Sequence, residues 1–187
     1  VTPQEIQKLL VDRFGDRVEI IDADSYRIDT PELRLLIILT AEQSWVKMLV
    51  PIATADEAMT FVEEILAANF DETLETRYAL HQNVLWGVFQ HSLPSLIPAD
   101  ADRAIERLIE LKQLGIDRAF REFTTKRVRE IIQVAKQRGD TLEQTLQTLD
   151  RFYAEGLMGD LGASADIRQE MMGAWRFQLE RLWHEQP

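Results

Sequence analysis

Residues 33–52 constrain this chain more than any other stretch. LRLLIILT is followed by a short polar bend and then by WVKMLVPIA. Leu, Ile and Val fill both alternating sets of positions, so neither face of these two strands reads as wetted. Eleven Leu, Ile, Val and Met side chains lie there, from Leu33 to Ile52. Burying them contributes on the order of 20 kcal/mol gross, as an upper bound. The pair is therefore expected to form the core as adjacent strands joined at Ala41–Ser44, and the rest of the chain is read as its cover.

Upstream, Thr2 and Pro3 read as N-cap and first helical residue, with Glu5 completing a capping box. Ile6, Leu9, Leu10 and Phe14 follow at helical spacing and Gly15 stops the helix. Two short alternating segments, Arg17–Ile21 and Ser25–Asp29, read as a hairpin around Asp22–Asp24. Thr54 with Glu57 opens a second helix, striped by Ala58, Phe61, Val62, Ile65 and Leu66, with Asn69 as its stop. Strands are expected near Leu74–Leu80 and Val84–His91. A three-residue loop, His81–Asn83, would set Tyr78 opposite Trp86 on one face. A third helix opens at Pro98 or Asp100 and closes at Gly115.

Beyond Gly115 there is no strand signal. A helix is expected over 118–138, ended by Gly139. Asp140 with Glu143 caps another. Gly156, Gly159 and Gly162 mark a loop, and Ser164 caps a last helix bearing Ile167, Met171, Trp175, Leu179 and Leu182. The fold class is thus α+β: an antiparallel sheet of about five strands with three helices, then an all-helical extension. Three helices cover one face of such a sheet. The extension, 117–187, is expected to pack on the domain of residues 1–116, through Phe120, Phe123, Leu146, Phe152 and Trp175.

Charge supports that division. Residues 1–116 carry ten Lys/Arg against twenty Asp/Glu, whereas the remainder carries eleven against twelve. The net charge of −11 argues against duplex DNA or an anionic membrane as main partner. No apolar run approaches a bilayer span, and VTPQEIQK has neither region of a secretory signal. The absence of Cys removes disulfides and thiolate metal sites and fits a reducing compartment.

No catalytic constellation emerges. His81, His91 and His184 lack HxH or HExxH spacing, so surface or turn roles are expected. Asp12, Asp16, Asp22, Asp24 and Asp29 lack the pattern of a calcium loop, and Asp is common at turns because its side chain bonds nearby backbone. Lys126, Arg127, Arg129, Lys136 and Arg138 read as a solvated helix face or a surface for an acidic partner. Ser92, Ser95 and Thr141 have no nucleophile-elbow context, and no glycine-rich phosphate loop follows a strand. The expectation is no metal, no cofactor and no catalytic residue.

The order to Gly115 is helix, three or four strands, helix, two strands, helix, in an acidic unit of about 115 residues. This order, length and charge resemble the type III secretion chaperones (the Tir-chaperone-like fold) and the related YbjN-like proteins; no residue motif carries the match. The resemblance implies a cytoplasmic, ATP-independent binding protein, usually a homodimer, that holds an extended client segment on apolar surface. The helical extension departs from the short secretion chaperones.

The leading expectation is a non-enzymatic protein-binding module, chaperone-like or adaptor-like, binding through Leu36, Ile38, Val46, Met48, Val50 and Trp86. The alternatives are an enzyme with a pocket between the α+β part and the helices, and a structural subunit of a larger assembly. No nucleic-acid or membrane partner is expected.

Overall fold

The computed structural model describes residues 1–40, 42–155 and 165–185. The chain divides into two units, Val1–Phe120 and Arg121–Pro187. The first contains α1 (Pro3–Phe14), β1 (Val18–Asp22), β2 (Ser25–Asp29), β3 (Arg34–Leu39), β4 (Trp45–Thr54), α2 (Ala55–Met59), α3 (Val62–Asp71), β5 (Arg77–His81), β6 (Val84–Ser92) and α4 (Pro98–Leu114). All six strands join one antiparallel sheet in the order β1-β2-β3-β4-β6-β5. The α+β class is as expected, with one strand more because both short segments of the first hairpin enter the sheet.

Local chemistry sets the helix ends. Thr2 with Glu5, and Thr54 with Glu57, form reciprocal capping boxes that satisfy otherwise orphaned N–H groups. Gly15 and Gly115 close α1 and α4 at φ of 59° and 57°, a region costly for residues with a Cβ. The single helix expected over 54–69 is instead two. It breaks at Thr60 and Phe61, where Phe61 leaves helical geometry and meets the Phe120 ring edge-on at 5.8 Å. Asn69 does not end α3. Its amide bonds both the N–H and the C=O of Tyr78, at 2.7 and 3.1 Å, and so ties the helix to edge strand β5.

The last hairpin also differs from expectation. Its loop is two residues, Gln82 and Asn83, both at positive φ (47° and 61°), and His81 pairs with Val84. Two-residue loops with both residues left-handed match the twist of the flanking strands. The register therefore moves by one. Tyr78 lies opposite Gly87, Ala79 lies opposite Trp86, and the two aromatics occupy opposite faces.

The helices of this unit pack on one side of the sheet. Ile6, Leu10 and Phe14 of α1, with Ala104, Ile105 and Leu108 of α4, close over Ile28, Leu35, Ile37, Met48, Val50 and Phe89. A neighbouring cluster joins Ala58 and Ile65 to Leu85, Ile52, Tyr78 and Ala119. The Arg13–Asp102 ion pair, 2.5 Å, links α1 to α4.

The second unit contains most of α5 (Asp117–Arg138), with α6 (Leu142–Ala154) and α7 (Ala165–Leu182). Val128, Ile132, Leu146, Leu149, Leu179 and Leu182 form its core, with Trp175 and Trp183 packed against them. Gly139, at φ 78°, ends α5. The cap of α6 is Thr141 with Gln144 rather than Asp140 with Glu143, since the Thr141 hydroxyl accepts the Gln144 N–H and the Gln144 amide oxygen accepts the Thr141 N–H. The expected glycine loop and the Ser164 cap lie outside the described residues.

Candidate functional site

The six residues expected to bind a partner are split by the strand register. Ile37 pairs with Met48 and Leu39 with Val46, which sets Val46, Met48 and Val50 on the helix-covered side together with Leu35. All three are 0% exposed. They build the core and, contrary to expectation, offer no surface to a partner. Leu36, Ile38 and Trp86 lie on the opposite, outer side. The error has a physical origin: where both alternating sets of a strand are apolar, periodicity does not say which set points inward.

The outer side is built from successive cross-strand rows. One row runs Glu19, Arg27, Leu36, Leu49, Val88, Arg77 across all six strands. The next runs Ser25, Ile38, Lys47, Gln90 from β2 to β6. Pro51, Trp86 and Ala79 form a row on one flank, and Trp45 with Ser92 a row on the other. Trp45 and Ile38 are 50% and 43% exposed, and Leu36, Leu49 and Trp86 are half-buried. No helix of the first unit contributes to this side. The result is an apolar strip along β3, β4 and β6, open within its own unit.

Its charges are unevenly neutralised. Arg27 pairs with Glu19 at 2.6 Å and Arg34 with Asp29 at 3.0 Å, both toward the β1–β2 edge. Asp22, at that edge, accepts the Ser25 hydroxyl and the Asp24 N–H, which hold its carboxyl below the usual range. Toward the other edge the outer positions of β4, β6 and β5 hold Lys47 and Arg77 and no carboxylate. Among the described residues neither cation has an ion pair. Arg77 instead donates to the Gln90 amide oxygen, and Gln90 stands directly opposite Lys47. Trp86 is fixed by donation from its indole N–H to the His81 carbonyl, 3.1 Å.

Sequence reasoning missed Lys47 and Arg77 as part of this surface. One signal was available for the first. Lys47 is the only charge in its strand and alternates with Trp45 and Leu49, so it marks the solvent side. For Arg77 the one-residue loop shift removed the signal.

Elsewhere, the candidate residues are explained locally. His91 stacks on Phe89 at 5.9 Å, with its Nδ1 at 2.8 Å from the Ser92 carbonyl, while His81 and His184 are exposed. Asp24 accepts from the Gln43 side chain at 2.9 Å. No three His, Cys, Asp or Glu among the described residues are grouped to hold a metal ion. Glu5 and Glu57 are lowered by their cap N–H groups and hydroxyls, and burial raises Tyr26. Apolar grooves also lie away from the sheet face among the described residues. One of about 160 Å³ lies between α3 and β5, lined by Val62, Leu66, Tyr78 and Leu80. Another, about 360 Å³, lies between α5 and α6, lined by Ile131, Val134, Leu149 and Phe152.

No protein-family model and no curated protein matches the sequence. Solved structures are similar to it. A chain of the ExsC–ExsE complex is 12% identical, covers 60% of this chain and 95% of its own, and has a TM-score of 0.47. One of the HopA1–SchA chaperone–effector complex is 10% identical, with coverages of 63% and 98% and a TM-score of 0.46. One of the heterodimeric ExoU–SpcU complex from the type III secretion system of Pseudomonas aeruginosa is 14% identical, with coverages of 59% and 93% and a TM-score of 0.48.

Proposed function

We propose that this chain is a non-catalytic, chaperone-like protein-binding module that holds an extended apolar segment of a partner on the outer face of its sheet. The observation that carries the reading is the strip formed by Leu36, Ile38, Trp45, Leu49 and Trp86, which no helix of its own unit covers. Apolar surface of this kind, on a rigid sheet and rimmed by polar groups, suits an extended peptide whose alternate side chains face it. The element-order resemblance supports the same role, and supports a cytoplasmic setting together with the absence of Cys. No described helix is long and apolar enough to cross a membrane.

The active form in this proposal is a homodimer. Phe70, on α3, is 90% exposed, and Leu66 one turn earlier is exposed beside the groove between α3 and β5. A projecting aromatic next to an apolar groove on one patch is the self-complementary arrangement a two-fold contact needs. Light scattering is expected to give twice the 21.7 kDa chain mass, and Phe70→Glu to return the single-chain mass. A single-chain mass for the unmodified protein overturns the dimer.

Selection of a random peptide library on the full chain tests the binding role. Recovered peptides are expected to be rich in alternating apolar residues and to quench or shift tryptophan emission. Their affinity should fall at least tenfold with Ile38→Asp or Leu49→Asp. Peptides whose binding ignores both substitutions would remove the outer face from consideration.

A further inference from the structure

We propose that the outer face selects segments in which a carboxylate is set between apolar residues, and that Lys47, Arg77 and Gln90 form the cradle for that carboxylate. The inference rests on the reading of the outer face as a protein-binding surface and names the chemistry of its partner.

The argument starts from charge. The part of the chain before residue 117 holds twice as many acids as bases, so a surface without acids is the exception there. The outer positions of β4, β6 and β5 are such a surface, and their two cations are free of ion pairs among the described residues. They also converge. Gln90 is the cross-strand partner of Lys47, and its amide oxygen accepts from the Arg77 guanidinium. That bond draws the Arg77 side chain from its own row into the row of Lys47. It also turns the Gln90 amide NH₂ away as an available donor. An ammonium, the remaining guanidinium N–H groups and an amide NH₂ therefore share one small region of the sheet. All three donate, and the ligand that suits them is an acceptor anion, most closely a carboxylate.

The surroundings add the apolar part. Successive outer residues on a strand are two apart, about 6.6 Å, and an extended peptide presents its inward side chains at the same interval. A peptide lying along β4 and β6 meets Trp45 first. It next meets the Lys47–Gln90 row with Ile38 at its side, then Leu49, then Pro51 with Trp86. The complementary pattern is apolar, acidic, apolar, apolar at alternate positions. Part of the cradle is desolvated by such a peptide, which strengthens the charge pairing above that of a fully exposed pair.

The test uses the full chain and three labelled peptides, Ser-Leu-Ser-Glu-Ser-Leu-Ser-Leu-Ser and its Glu→Gln and Glu→Lys versions, read by fluorescence anisotropy. The Glu peptide is expected to bind about tenfold more tightly than the Gln peptide, with the Lys peptide weaker again. Lys47→Glu is expected to invert that order, and Arg77→Gln to reduce the Glu preference several-fold. Both side chains are exposed, so circular dichroism should be unchanged. Equal binding of all three peptides, abolished by Ile38→Asp, would overturn the cradle and leave the binding face standing. Absence of binding by any peptide, or binding indifferent to Ile38→Asp, would overturn both. A labelled oligothymidine run alongside is expected not to bind; Lys47-dependent binding of it would replace the acidic peptide with single-stranded nucleic acid.

Discussion

Gly87 sits in the middle of β6 on the helix-covered side, where a Cβ would lie 2.9 Å from Val50 Cγ2 and 3.4 Å from Ile52 Cδ1 and Leu108 Cδ2. Val50 is β-branched and fully buried, so it cannot swing aside cheaply. Gly87→Ala is expected to destabilise the protein by about 1–3 kcal/mol in denaturant titration, as overpacking does. A loss below a few tenths would show that α4 yields at Leu108. The capping boxes act at the same scale but depend on pH. Glu57 is held below its ordinary value of 4.5 by the Thr54 N–H and then by the Thr54 hydroxyl. A carboxyl with a lower pKa folded than unfolded stabilises above the unfolded value, and that stabilisation is lost as pH falls through the folded one. Thr54→Ala, which removes the hydroxyl that bonds the Glu57 carboxylate, is therefore expected to destabilise near neutrality and to do so less below pH 4.5. A melting-temperature difference from wild type that stays constant from pH 7 to pH 3 would count against the bond from the Thr54 hydroxyl to the Glu57 carboxylate.

Among the elements, β5 is the edge strand with the most specific protection. Its outward backbone groups at Tyr78 are occupied by the Asn69 amide, so α3 covers a position where another chain could pair. Asn69→Ala leaves both groups without that partner and is expected to destabilise by about 1–3 kcal/mol. Faster hydrogen exchange should be confined to Tyr78 and its neighbours. Asn69→Asp should recover the contact to the Tyr78 N–H alone. Exchange at Tyr78 unchanged in the Ala variant would show that packing of α3, not the amide, protects the edge. The opposite edge, β1, has no such partner among the described residues of its unit and exposes Ile20 and Ile21; Glu19 and Asp22 on the same strand are the charges that oppose unplanned pairing.

At the scale of the whole molecule, the two buried clusters of the first unit lie entirely within Val1–Phe120. A fragment ending at Phe120 is therefore expected to fold alone, with cooperative thermal unfolding and dispersed amide resonances. A fragment that melts without a transition would mean that residues after Phe120 complete its core. The cationic cradle is also a property of this scale. Lys47, Arg77 and Gln90 are separated by up to 43 residues, and only the insertion of β6 between β4 and β5 brings them into one region.

What the sequence determined alone was local. Two of the three expected capping boxes, Thr2 with Glu5 and Thr54 with Glu57, the glycine stops at Gly15, Gly115 and Gly139, the two hydrophobic strands and the α+β order follow from spacings of two to four residues, and the structure keeps them. What only tertiary structure decided was non-local. With apolar residues on both alternations of β3 and β4, either set could face inward, and the choice depended on which pairing let α1 and α4 close over Ile37 and Met48. A strand has period two, so one residue of register exchanges its whole inner and outer sets. The inward facing of one alternation of β4 put Val46, Met48 and Val50 in the core and Lys47 outside, while the one-residue register of the β5–β6 hairpin separated Tyr78 from Trp86 and brought Arg77 beside Gln90.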